Sequence, residues 1–206
     1  MLGHVNDLFA NMRDGEELAQ WNLYSPLWCR VSIEKNKENK TLVLRDSDPF
    51  DYAKAERIFP NSKKLAIEFS VTPQQNEFGL LEIELVDARG IPTLRLMFDS
   101  TGTILTKQGY RNKSLGKYNV GETIILKIDL NTSTRFYTIS VNGKSPSNNI
   151  CFAPVESVER IIFRTGASRR FPDADTPTDQ EYDLPEAEKR DKEASYFINY
   201  LKIAKQ

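Results

Sequence analysis

The 206-residue chain is 39% hydrophobic and 28% charged, with ten glycines and ten prolines, an ordinary balance for one sizeable domain. Its 28 basic and 29 acidic residues leave a net charge of −1, which argues against a generally basic surface for neutralising nucleic-acid phosphates. His4 is the sole histidine, so serine-histidine-aspartate triads, cysteine-histidine pairs and multi-histidine zinc sites cannot be assembled within the chain, and nucleotide loops of the GxxxxGK(S/T) or GxGxxG kind are absent.

The N-terminus, MLGHVNDLFANMRDGEELAQ, lacks the basic start and apolar stretch of a secretory signal, and no apolar run approaches the roughly 20 residues that cross a bilayer. No membrane insertion is expected. Outside these first twenty residues, few stretches carry a convincing helical period. From Lys64 the pattern is period two, with Leu65, Ile67, Phe69 and Val71 alternating against Ala66, Glu68 and Ser70. Leu81, Ile83 and Leu85 repeat it, and the turn ARGIP leads to Leu94, Leu96 and Phe98, which predicts a hairpin. Ile124, Leu126, Ile128 and Leu130 form another strand, NTST breaks it, and FYTISV runs to the turn pair Asn142-Gly143. VERIIFR at 158–164 and YFINYLKI at 196–203 add two more.

Many strands without βαβ alternation predict an all-β fold, a two-sheet antiparallel β-sandwich or jelly roll, as a single domain over 1–206. Residues 173–193 hold nine acids against three bases, a local charge of −6 that leaves +5 for the rest of the chain. This segment reads as a polar acidic surface loop, or as an acidic rim or calcium-binding loop. The strand after it is expected to return beside an early strand and close the sandwich, with both termini on one side. Cys29 and Cys151 match no CxxC spacing and are either two buried thiols or one disulfide.

Three constellations carry chemistry. Asp46, Asp48 and Asp51 fall within six positions around Pro49, an arrangement for a structural calcium or for a capped, hydrogen-bonded turn. In LLEIELVD, residues 80–87, Glu82 and Glu84 share a face, and a bulge after Leu85 brings Asp87 to it. This spacing resembles the ExDx(x)E strand of the laminarinase-type jelly-roll glycosidases, family sixteen of the glycoside hydrolases. There, a nucleophile, a helper carboxylate and a general acid line one strand. The chain departs from that pattern, with Glu84 in place of aspartate and Asp87 in place of glutamate. That departure disturbs a nucleophile-to-acid separation of about 5 to 5.5 Å. The alternative for the same residues is an exposed cross-strand ion pair of Glu84 with Arg95. The third constellation is aromatic and basic. Trp21, Tyr24 and Trp28 in WNLYSPLW are stacking surfaces for sugar rings, or core residues, and Arg57, Arg95, Arg111, Arg164, Arg169 and Arg170 are grips for uronic or sialic acid carboxylates.

WNLYSPLW, DSDPFDYAKAERIFP, FRTGASRRFP at 163–172, an acidic proline-containing loop and the closing YFINYLKI occur in an order that resembles a concanavalin A-like lectin/glucanase module of Bacteroidetes polysaccharide-utilisation proteins. The likeness covers most of residues 5–204. It implies a noncatalytic jelly roll that binds a polysaccharide or oligosaccharide, or that supports a neighbouring catalytic domain of the same parent protein. It also implies a secreted, periplasmic or cell-surface setting, with any targeting segment outside this chain. No cofactor is required, and calcium, where bound, is structural. The readings set against it are a jelly-roll glycoside hydrolase using Glu82, Glu84 and Asp87, and an interaction module without a glycan site.

Overall fold

A computed structural model describes residues 5–13, 16–36, 39–48, 51–109, 111–166 and 191–206. Fifteen strands lie among them: β1 (Val5–Leu8), β2 (Trp21–Tyr24), β3 (Cys29–Asn36), β4 (Asn39–Asp46), β5 (Lys54–Ser62), β6 (Lys64–Pro73), β7 (Leu81–Val86), β8 (Pro92–Phe98), β9 (Thr103–Gln108), β10 (Arg111–Lys117), β11 (Ile124–Asn131), β12 (Phe136–Val141), β13 (Ser147–Ile150), β14 (Val158–Thr165) and β15 (Ala194–Lys205). They form two antiparallel sheets. One runs β13-β12-β11-β6-β15-β4-β3, with β1 added beside β15, and the other runs β10-β9-β8-β7-β14-β5-β2.

The alternating apolar residues meet between the sheets. Leu65, Ile67, Phe69 and Val71 of β6 and Ile124, Leu126, Ile128 and Leu130 of β11 belong to one buried cluster with Leu81, Ile83, Leu85, Leu94, Leu96, Phe98, Ile161 and Phe163 of the second sheet. Phe69 meets Phe163 edge to face across the interior, with ring centroids 5.4 Å apart. The ARGIP hairpin closes with Gly90 at φ +84°, and Asn142 and Gly143 at φ 50° and 70° make the expected tight turn. Glu84 lies opposite Arg95, as the turn position predicted.

The N-terminus departs from its helical period. It forms β1 and a single 3-10 turn at Phe9–Asn11. A short isolated helix is marginal, whereas pairing Val5 with Ile203 and burying Phe9 gives this segment a full ladder and a place in the core. The closing strand does return to early strands. Residues 194–198 of β15 pair with β4, and 200–203 pair with β1, while the other edge follows β6. Between the two partners a bulge falls at Asn199. Its Nδ2 donates to Ser70 Oγ and Thr72 Oγ1, both at 3.1 Å, and Thr41 Oγ1 donates to the Ile198 carbonyl at 2.7 Å. Asn199→Ala leaves these hydroxyls short of a partner and is expected to cost about 2 kcal/mol. Urea denaturation checks this, with a lowered midpoint at unchanged slope as the expected result.

Candidate functional site

Strand β7 is bonded on both sides, to β8 and to β14, and all six of its residues are buried. Leu81, Ile83 and Leu85 face the core, so Glu82 and Glu84 project from the opposite face of the sheet, and there they are only 4% and 5% exposed. The ion pair with Arg95 is therefore buried rather than exposed. Two buried carboxylates need cationic or protonated neighbours, and the flanking strands supply cations. Arg95 of β8 places Nε 2.7 Å and Nη2 2.5 Å from Glu84 Oε1, and its Nε is also 2.7 Å from Glu82 Oε1. Arg164 of β14, in register with Glu82, brings Nη2 to 3.3 Å from Glu82 Oε1 and 3.4 Å from Glu84 Oε2.

Aromatic rings bound this quartet on both sides. Phe152 lies against the Arg95 guanidinium at 4.7 Å, and Tyr52 lies against Arg164 at 5.8 Å. Tyr52 in turn packs on Tyr24, with centroids 5.2 Å apart. The order across the sheet is thus ring, guanidinium, two carboxylates, guanidinium, ring. Satisfaction is incomplete. Arg164 Nε is buried without a hydrogen-bond partner among the described residues, while Glu82 Oε1 and Arg164 Nη2 are held by the ion-pair contacts alone. Burial, and then the charge of Glu84, push the Glu82 carboxyl above its usual range, against the pull of Arg164 and Arg95.

The other expected residues are placed differently. Trp21, 8% exposed, is a core residue between Phe9 and Phe163, and its Nε1 donates to Asp7 Oδ2 at 2.9 Å. Arg57 is buried beside it and holds Asp7 and Gln20, through Nε to Asp7 Oδ2 and Nη1 to Gln20 Oε1, both at 2.6 Å. Trp28 is half-buried at φ 66° in the turn before β3, where its carbonyl accepts from the Ser47 amide at 2.9 Å. Of the three aromatics only Tyr24, 42% exposed, adjoins the quartet, with its hydroxyl on Asp51 Oδ2 at 3.1 Å. Arg111 opens the edge strand β10 and is exposed. Arg169 and Arg170 lie outside the described residues, as does most of 173–193.

Asp87 closes the hairpin turn. Its Oδ1 accepts the Arg89 and Ile91 amides at 2.9 and 2.8 Å. Burial pushes this carboxyl up, but the amides of Ile91 and Arg89 and the Arg89 side chain outweigh it and hold it below the usual range. A bulge does follow Leu85, yet the carboxylate is spent on the turn rather than aligned with Glu82 and Glu84. Asp46 Oδ1 accepts the Asp48 amide, and Asp48 Oδ1 accepts the Asp51 amide, each at 3.0 Å, so these aspartates act as local caps. No group of three or more metal-ligating side chains is drawn together among the described residues. Cys29 and Cys151 are free, buried thiols, and burial followed by Asp46 pushes Cys29 upward. Tyr52 and Phe152 were not singled out from sequence. Tyr52 sits inside the DSDPFDYA motif, and Phe152 carries no local signal, because its amide and the neighbouring Ala153 carbonyl dock it on Thr93, far away in the chain.

Residues 21–180 match the family described as "Sialidase-like, CBM domain". The chain belongs to that family. This sialidase-like CBM domain is a noncatalytic carbohydrate-binding module. It is similar, at 39% identity and a TM-score of 0.88, to a structure titled "Sialidase" from Bacteroides, over 99% of this chain and 18% of that one. The chain thus spans less than a fifth of that relative. The Bacillus licheniformis β-glucanase matches at 10% identity and a TM-score of 0.62, over 99% of each chain. A Bacteroides ovatus mixed-linkage-glucan enzyme of glycoside hydrolase family sixteen matches at 14% and 0.61, over 97% of this chain and 99% of its own. Both show the jelly-roll fold alone. No curated protein matches the chain.

A carboxyl group whose pKa is raised by folding stabilises the protein below the ordinary carboxylate range, and that contribution is lost as pH rises through the raised value. Glu82→Gln removes the dependence. The variant is expected to melt above the parent chain at pH 8 and level with it near about pH 4. Thermal unfolding across this range checks the sign, and a variant that melts lower at pH 8 would refute it.

Proposed function

We propose that this module holds glycan on the face of the sheet built from β8, β7 and β14, within a larger sialidase-type protein. One observation supports that placement: a charged, incompletely hydrogen-bonded quartet lies between partly exposed aromatic rings, a combination that offers polar contacts to sugar hydroxyls and covers the apolar face of a sugar. Tyr24, Tyr52, Phe152, Arg95 and Arg164 form the binding set. Trp21 and Arg57 support the edge of the sandwich from inside. The parent protein's catalytic domain is the partner, and glycan attachment raises that domain's local substrate concentration. Such work belongs outside the cytoplasm, in a secreted, periplasmic or cell-surface protein. Among the described residues no helix is long and apolar enough to cross a membrane.

Catalysis by Glu82, Glu84 and Asp87 is not favoured, because the third carboxylate is committed to its turn and the first two share the same pair of guanidiniums. Retardation in native gels containing plant, algal and host polysaccharides, with reducing sugar assayed in the same samples, tests the reading. The expected result is retardation without product, weakened about tenfold by Tyr24→Ala. Product release abolished by Glu82→Ala would replace the reading with a hydrolase. Because Asp46 and Asp48 each cap a backbone amide, the binding is expected to proceed without calcium, and EDTA is expected to leave both the melting temperature and the retardation unchanged.

A further inference from the structure

The sheet that holds β11, β12 and β13 carries an accessible patch on its outer face, turned away from the Arg95–Arg164 quartet. Strand β12 buries Tyr137, Ile139 and Val141 in the core, so Phe136, Thr138 and Ser140 project outward. Register sets their neighbours. Ile150 of β13 and Asn131 of β11 stand opposite Phe136, and Asn148 stands opposite Thr138. Thr138 and Asn148 form the next row on the same face, about 7 Å along the strands. Phe136 is 52% exposed and Ile150 55%, side by side at the sheet's edge. The polar groups around the ring are available. Asn131 Oδ1 accepts the Ser133 amide at 3.1 Å, which leaves its Nδ2 to donate. Among the described residues the Thr138 hydroxyl and the Asn148 side-chain amide hold no partner. Both cross-strand neighbours of Phe136 are uncharged. An exposed ring bordered by amides and a hydroxyl suits a sugar, whose C–H face covers the ring while its hydroxyls meet groups that donate and accept. A protein partner fits less well. The exposed parts of Phe136 and Ile150 supply on the order of 200 Å² of apolar surface, against about 800 Å² buried on each partner of a stable protein interface.

We infer that this outer face is a second glycan site, in which Phe136 stacks on a sugar ring and Asn131, Thr138 and Asn148 bond the hydroxyls of an uncharged stretch of glycan. The inference rests on the carbohydrate-binding class of the module, and not on the placement of a first site over β8, β7 and β14. The two faces point away from each other with both sheets between them. One module therefore links two glycan chains, and a polysaccharide that offers many copies is held by avidity.

Native gels containing mixed-linkage β-glucan, xyloglucan, laminarin or mucin test this on the intact chain, with Phe136→Ala, Tyr24→Ala and the double variant run beside it. In at least one gel Phe136→Ala is expected to weaken retardation about tenfold, Phe136→Trp to keep it, and the double variant to abolish it. Melting curves report whether each variant folds, and Asn148→Ala, at a second exposed position, is expected to weaken retardation in the same direction. Retardation of folded Phe136→Ala equal to that of the unmodified chain overturns the second site and leaves the first placement standing. Loss in Phe136→Ala with none in Tyr24→Ala supports the second site and overturns the first placement. A dimer in sedimentation that Phe136→Ala disperses shows the patch to be a contact between copies, which overturns the inference. Absence of retardation in every gel overturns both this inference and the glycan-binding reading.

Discussion

Two carboxylates on a strand buried on both faces constrain everything around them. Neither Glu82 nor Glu84 can reach bulk water, so the ladders on either side of β7 must deliver cations at the same level. Arg95 and Arg164 do so only in the observed register, because a slip of one residue turns each guanidinium into the core and brings an apolar side chain out. The requirement couples three strands whose pairing the apolar contacts alone leave less defined. Removing one of the two arginines strands a buried carboxylate, at a cost of about 3–5 kcal/mol. Charge thus specifies strand order here, and the same charges supply the polar floor between Tyr52 and Phe152.

The legible parts of the sequence were those in which one face is apolar and the other polar. Residues 65–71, 81–85 and 124–130 alternate without ambiguity, and the short turns at 87–91 and 142–143 carry asparagine, aspartate and glycine where positive φ or an amide-capping oxygen is needed. Strands β10 and β13 read differently. RNKSLGK and SNNI are polar edge segments with no apolar alternation, and they exist because β9 and β12 offer them a ladder. Period two also misreads β7, since it marks Glu82 and Glu84 as solvent-facing. Their burial depends on Arg164, 82 positions after Glu82, and on Phe152, which no local pattern marks.

The candidate site divides along the same line. Glu84 opposite Arg95 follows from counting around a turn, a local inference that needs only the hairpin. Trp21 and Arg57 look like ligand contacts by residue type, yet the positive φ of Gln20 and the short β2 strand turn the indole inward against Phe163 and leave Arg57 to neutralise Asp7. Residue chemistry at a sandwich edge does not distinguish a support from a contact. What distinguishes them is satisfaction: the indole and the Arg57 guanidinium are hydrogen-bonded, while Arg164 is held by ion pairs and a ring and its Nε has no hydrogen-bond partner among the described residues.

The pairing of β1 with β15 has a mechanical consequence. Val5 faces Ile203, where β1 begins, while β15 runs on along β6 to Lys205 and the Gln206 amide donates to the Lys64 carbonyl. The β1–β15 hydrogen bonds run perpendicular to the strands, and tension that lifts β1 from its N-terminal end loads the Val5–Ile203 rung first, then the next, in the manner of a zipper. Such a ladder yields at low force, one rung at a time, whereas strands pulled along their length resist with all rungs together. Peeling stops at Phe9, whose ring is seated against Trp21. Strand β1 therefore gives the domain a short, recoverable extension at its hem, ahead of any loss of its core.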